Sequence, residues 1–316
     1  MRRHFYILFC FIVLVACDDG DILSVDLVFD QELERCDNFE EYHLIYDTRE
    51  DPSEALILVI PKNDDNNALF TTPTPVDEPY SIDISDTDVR FIYRTYNREL
   101  ESGDLCEIIP PGTLSIIDDY EADAGEIQIT VTIVDDDNDG IPTEYEGLAG
   151  EAYEDGIYWD SQDTDEDGIP DYIDEDDDND NVLTIDEIIQ DDDDYNPLTH
   201  TLDTDEDGTY NHLDNDDDGD FVFTYLEDKD GDQNPRDPAN YVVDEETGEN
   251  VFRYLSSQSN AVEAYTDPGK RTTTFSRTVT TSITIIGIDL DILRATTVEF
   301  GTLTTDLEVD AQSLLD

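Results

Sequence analysis

The sequence predicts a mainly β protein with an N-terminal antiparallel β-sandwich, an irregular acidic repeat region with few regular elements, and C-terminal β strands. Three observations predict it. Short runs alternating apolar and polar residues fill positions 22–134 and return after 243, and period two marks half-buried strands. Between them, from Asp135 to Asp237, stand 41 acids and only two bases, Lys229 and Arg236. No stretch sustains a convincing helical period.

The 316 residues carry a formal charge of -69, from 84 Asp and Glu against 15 Lys and Arg. Such a surface repels phosphate backbones and anionic lipid, which excludes nucleic acid as a partner. The 17 Tyr and 12 Phe, with long Val/Ile/Thr runs, supply core-forming side chains that a solvated acidic tail lacks.

The first element is an address. Arg2 and Arg3 precede an apolar run from Phe5 to Ala16, the pattern of an export signal over residues 1–16. Its 12 apolar residues are too few to cross a hydrocarbon core of about 30 Å. Leu14, Ala16 and Cys17 resemble the lipobox of bacterial lipoproteins, which implies lipidation of Cys17 and membrane attachment through that lipid. The following Asp18-Asp19-Gly20-Asp21, a tether over 17–21, resembles the acidic signal that sends lipoproteins of the Bacteroidota to the outer face of the outer membrane. In an exported chain, Cys36 and Cys106 are expected to form a disulfide, worth about 4 kcal/mol in the chain-entropy account.

The sandwich is expected over 22–134, with strands at 22–29, 43–46, 55–60, 82–96 and 126–134. Clusters at 61–65, 73–75 and 110–112, rich in Pro, Asn and Asp, separate them. The C-terminal segment, 243–316, offers strands at 250–255, 272–289 and 297–303, too few to bury a core alone. They need a partner, which the sandwich, a small sheet of their own or another protein's edge would supply. A straight central rod would carry Lys270, Arg271 and Arg277 outward toward a partner, and the same bases would also protect an exposed strand edge.

The middle region, 135–242, repeats. DTDEDG begins at Asp163 and again at Asp203, the triple Asp at 176–178 recurs at 216–218, and Glu187 recurs at Glu227, a period of 40 residues. Within it lie loops suited to calcium, a hard cation that takes six to eight oxygens. In such loops carboxylates stand at positions 1, 3, 5 and 12, with a turn-forming Gly at position 6. Asp135, Asp137, Asp139, Gly140 and Glu146 fit completely. So do Asp163, Asp165, Asp167, Gly168 and Asp174, with Asp171 at position 9, and Asp203, Asp205, Asp207, Gly208 and Asp214. Variants follow at Asp176, Asp178, Asp180, Asn181 and Glu187, and at Asp216, Asp218, Asp220 and Glu227, where Phe221 replaces the glycine and is expected to turn poorly. A last run, Asp228, Asp230 and Asp232, lacks a position-12 acid unless Asp237 serves. About five or six Ca²⁺ ions are expected, in a structural rather than a sensor role, since no ordinary helix precedes the loops.

DTDEDGIPDYIDEDDDNDN resembles the thrombospondin type 3 repeat, in which the chain wraps around a line of calcium ions. The resemblance covers about 135–237 and implies calcium binding by the acids just named and an extracellular, adhesion-associated setting. The lipobox, β region, acidic repeats and β tail together resemble uncharacterised surface lipoproteins of the Bacteroidota.

No metalloprotease, nucleophile-elbow or phosphate-loop pattern surrounds His43, His200 or His212. The expected function is therefore non-enzymatic: a calcium-binding, surface-exposed outer-membrane lipoprotein that acts as a structural, adhesion or interaction module toward a protein or glycan. The alternative is a carbohydrate-binding or hydrolytic surface component with its site on the sandwich loops, since two carboxylates suffice for a glycosidase. Trp159, with Tyr153 and Tyr158, is expected to plug the junction between the first loop and the repeats rather than to form a sugar platform.

Overall fold

The computed structural model describes residues 29–310, apart from 76, 86–87, 152, 154–156, 190–201, 273, 291 and 293–296, together with Leu315. The export signal, the lipid site at Cys17, the acidic tether and the strand expected over 22–29, up to residue 28, lie outside the described residues. So does His200. The chain is mainly β, with its strands in antiparallel sheets. The strands are β1 (Glu34–Cys36), β2 (Tyr42–Arg49), β3 (Glu54–Pro61), β4 (Tyr80–Asp83), β5 (Arg90–Tyr96), β6 (Ile116–Glu121), β7 (Ala124–Thr132), β8 (Tyr241–Val243), β9 (Asn250–Phe252), β10 (Thr274–Asp289) and β11 (Thr297–Asp310). Among the described residues no helix is long and apolar enough to cross a membrane.

The chain divides into two compact units. One holds residues up to 67, 75–130 and 282–303, and the other 68–74, 131–281 and 304–316. In the first, a five-stranded sheet runs β1-β2-β3-β5-β6. The continuous apolar run of β3, Ala55 to Ile60, suits its central place, because both of its faces are covered. One face packs with Cys36, Tyr46, Ala55, Ile57, Ile92 and Tyr96, and the Cys36–Cys106 disulfide ties the loop after β5 onto it. The other face carries Phe91, whose ring meets that of Phe300 edge to face at 5.4 Å, joining β5 to β11 of the second sheet. That sheet runs β11-β10-β7-β4. The C-terminal strands thus pair with a strand of the N-terminal region, the return arrangement rather than a free-standing tail.

The run expected as one strand over 82–96 is two, β4 and β5, in different sheets. The chain leaves β4 through a turn in which the Ser85 amide donates to Val89 O at 2.9 Å. β6 lay hidden because IIDDYE does not alternate. It is an edge strand whose acids meet arginines of β5, Arg90 with Glu121 and Arg94 with Asp119, and these charges protect the edge.

The second unit contains the repeats, built of short 3-10 turns such as Asp171–Ile173 and Asn211–Leu213 rather than helices. One apolar anchor is formed by Ile169, Tyr172, Ile173 and Phe275, with Ile157, Tyr158 and Val309 against them. Tyr158 belongs to this anchor, Trp159 is half-buried beside it in sequence, and Tyr153 is exposed.

Candidate metal centres

Each loop is shaped by its own aspartates. In the first, Gly140 N–H donates to Asp135 Oδ2 at 3.0 Å and Ile141 N–H to Asp139 Oδ1 at 2.7 Å. One oxygen of each side chain holds the turn and the other is left over. Buried without any hydrogen-bond partner are Asp135 Oδ1, Asp137 Oδ2, Asp139 Oδ2 and both oxygens of Glu146. The same economy recurs in the loop from Asp176, where Val182 N–H donates to Asp180 Oδ1 at 2.7 Å, and both oxygens of Asp178 and of Glu187 remain without partners. It recurs again from Asp216, leaving Asp216 Oδ1, Asp218 Oδ2, Asp220 Oδ2 and both Glu227 oxygens. Phe221 does make the turn, with φ 75°, identical to Asn181 one repeat earlier, because Asp216 Oδ2 accepts its N–H at 3.0 Å.

The loops from Asp163 and Asp203 keep this hydrogen-bond pattern but open to solvent. Asp163, Asp165 and Asp167 converge, and Asp205 and Asp207 accept from Asp207 N–H and Thr209 N–H. Their position-12 acids, Asp174 and Asp214, accept from Asp176 N–H and Asp216 N–H. Asp171 is a different case from the ligand expected at position 9. Both of its oxygens are engaged, by the Thr164 amide at 2.7 Å, the Thr164 hydroxyl and Gln162. Asn211 does the same for Thr204 in the next repeat, so the task is to staple the turn and needs no charge.

Of Asp228, Asp230 and Asp232 in the last run, Asp228 alone is buried. Asp228 is spent on Gly231 N–H, Gln233 N–H and Asn240, while Asp230 and Asp232 are exposed. Asp237, the reserve ligand, caps the turn Pro238–Asn240 by accepting from Ala239 N–H.

Two groups join residues of different repeats. Asp139, Glu146 and Asp177 are all buried with carboxylate oxygens within 4.8 Å of one another, and so are Asp180, Glu187 and Asp217. Asp177 and Asp217 escaped the sequence reading because they occupy position 2 of their loops, outside the ligand positions 1, 3, 5, 9 and 12. The signal was present in the triple Asp of each repeat.

Burial, reinforced by neighbouring carboxylates, pushes these acids far from their ordinary range. Asp139 rises to about 8, Glu146 to about 11 and Glu227 to about 9, and Asp137, Asp177, Asp178, Glu187 and Asp217 are raised strongly. So many buried, unpartnered oxygens fit a multivalent hard cation, whose charge offsets the repulsion and whose coordination uses the free lone pairs.

Residues 136–202 match the family described as BamM C-terminal. The match lies on the first repeats and is not to the thrombospondin type 3 family. No curated protein and no solved structure matches the chain.

Lys270 is exposed, yet its ammonium donates to Asn179 O and lies 3.6 Å from the centre of the Tyr225 ring, and Arg277 pairs with Asp136 at 3.0 Å. His212 is buried against Tyr210, and burial lowers it to about 4. In the first unit a recess of about 250 Å³ carries Asp104 and Glu107 beside Leu44, Ile57, Tyr96 and Leu114. Arg98 grips Asp104 at 2.7 Å and holds its carboxyl below the ordinary range, the opposite of what a proton-donating acid needs.

Proposed function

We propose that this chain is a calcium-binding, non-enzymatic structural module of a lipoprotein, anchored through Cys17 in the outer membrane and exposed at the cell surface, where it serves adhesion or protein and glycan interaction. The observation that carries the calcium reading is the pair of inter-repeat groups, Asp139 with Glu146 and Asp177, and Asp180 with Glu187 and Asp217, all buried and each residue with at least one carboxylate oxygen that has no hydrogen-bond partner. The match to the BamM C-terminal family supports an outer-membrane-associated role, and the lipobox-like Leu14-Val15-Ala16-Cys17 supports lipid attachment. The calcium loops resemble thrombospondin type 3 repeats, which supports an extracellular setting. In such water, filled loops would stiffen the second unit and leave the surface strongly negative.

The deciding experiment is calcium titration of the full chain by calorimetry at about 0.15 M salt, with limited proteolysis in parallel. Saturable binding that brings protease resistance over 135–242 supports the reading. Weak, unsaturable binding with no gain of resistance overturns it.

A further inference from the structure

We propose that Phe221 and Phe223, on the loop from Asp216 to Glu227, form a docking surface for a cationic segment of a partner protein, whose Lys and Arg side chains stack on the two rings. The proposal deepens the interaction reading above and rests on it.

The two copies of the repeat differ at this edge. One period of 40 residues separates Asn181, Leu183 and Ile185 from Phe221, Phe223 and Tyr225, so the later copy carries three rings at positions where the earlier has none. Phe223 and Tyr225 stack with an interplanar angle of 11° and centroids 5.8 Å apart, and Phe223 stays 46% exposed. Phe221 is 95% exposed and holds φ 75°, a left-handed conformation that a bulky side chain disfavours. That ring costs stability and gains almost no burial from its own chain. Contact outside the chain is what a strained, open ring of this kind serves.

The earlier copy shows what the edge receives. There a basic segment of the chain, Gly269-Lys270-Arg271, lies on the loop. Asn181 donates to Gly269 O and accepts from Arg271 N–H, and the Lys270 ammonium donates to Asn179 O while standing 3.6 Å from the centre of the Tyr225 ring. The pairing of a cation with a ring recurs through the unit. Arg236 lies over Phe252 at 5.7 Å and pairs with Asp186 at 2.8 Å, Arg277 lies over Phe275 at 5.6 Å and pairs with Asp136, and Arg253 lies over Tyr265 at 5.3 Å. Four of the six Lys and Arg residues in 131–281 therefore sit on an aromatic face. Phe221 and Phe223 present to solvent the rings of that contact, and a partner supplies the cations.

Charge selects the partner. The 41 acids and two bases of 135–237 repel an anionic ligand and attract a cationic one. Filling the loops with about six Ca²⁺ ions would offset only about 12 of those charges. Arginine and lysine satisfy both features, since each brings a positive charge and stacks on an aromatic face.

The test is binding of the peptide acetyl-Gly-Lys-Arg-Gly-Lys-Arg-amide to the full chain in saturating Ca²⁺ at about 0.15 M salt, measured by calorimetry. Phe221→Asn combined with Phe223→Leu restores the residues of the earlier copy without altering charge, and is expected to weaken binding roughly tenfold while leaving the calcium titration unchanged. Should that pair disturb the loop, Phe221→Gly alone is expected to weaken binding roughly threefold, and Phe223→Tyr, which keeps a ring, to retain it. Equal peptide affinity with and without the rings would show that the acidic field alone holds the peptide, and would overturn the proposal while leaving the calcium reading intact. Preference for a neutral glucose oligosaccharide over the peptide, lost with the rings, would overturn it in favour of a glycan surface. Absence of calcium binding to the unaltered chain would overturn the calcium reading, whereas ring-dependent peptide binding would still support this surface.

Discussion

Asn181 and Phe221 hold the same position in successive repeats with the same φ of 75°, yet Asn181 is 1% exposed and Phe221 95%. The backbone of the repeat is therefore set by its aspartates, which accept the N–H of either residue, and not by the side chain at the turn. What differs is what lies above it.

Phe221→Gly is expected to stabilise the calcium-loaded chain by about 1 kcal/mol, because glycine removes the left-handed penalty and the exposed ring gives up no buried contact. Thermal unfolding in saturating calcium checks this, and a lower midpoint would contradict it.

Asn181→Ala should do the reverse. It removes two hydrogen bonds to 269–271 and keeps a left-handed turn that alanine dislikes, a cost of about 2–3 kcal/mol. Trypsin should then cut faster after Lys270 and Arg271, a rate visible by mass spectrometry of the digest.

Removal of calcium should invert the pH response. Asp139, Asp180 and Glu227 are raised by burial to about 8, 7 and 9, so folding favours their protonated forms when no cation is bound. That contribution is complete below about pH 4, the unfolded carboxylate range, and is lost as pH rises through 7 to 9. The calcium-stripped chain should be more compact at pH 4.5 than at pH 8, and the calcium-loaded chain the reverse, as small-angle scattering would show.

Asp47 offers a test in the first unit. It is 2% exposed, accepts from Gln31 N–H at 3.1 Å, and is raised by burial and by Asp30 to about 7. Asp47→Asn should leave stability nearly unchanged at pH 4 and increase it by about 2 kcal/mol at pH 8, where the buried carboxylate is charged. Denaturant unfolding at both pH values decides it.

Opening the Cys36–Cys106 bridge by a double Ser substitution should cost about 4 kcal/mol, since the bridge closes a loop with a sequence separation of 70. Unfolding in denaturant measures the loss, and an unchanged midpoint would show that the loop after β5 is held by packing alone.

Much of this protein was legible in its sequence because the information is local. Apolar and period-two runs marked β2, β3, β5 and β10, and the spacing of Asp135, Asp137 and Asp139, and of their counterparts, set which side chains gather in each loop. A carboxylate two residues from an amide can reach it without help from the rest of the fold. Cys36 and Cys106 were the pair expected to bridge, and they do. The sequence was silent where partners are distant. Nothing local marks Asp177 and Asp217 as neighbours of Glu146 and Glu187, or separates Asp171 the staple from Asp167 four residues earlier. Nor did any pattern choose among the possible partners of β10 and β11, because a strand's alternation states that one face is buried and not what buries it. Those assignments depend on hydrogen-bond registers and packing between segments far apart in the chain, which only the tertiary structure decides.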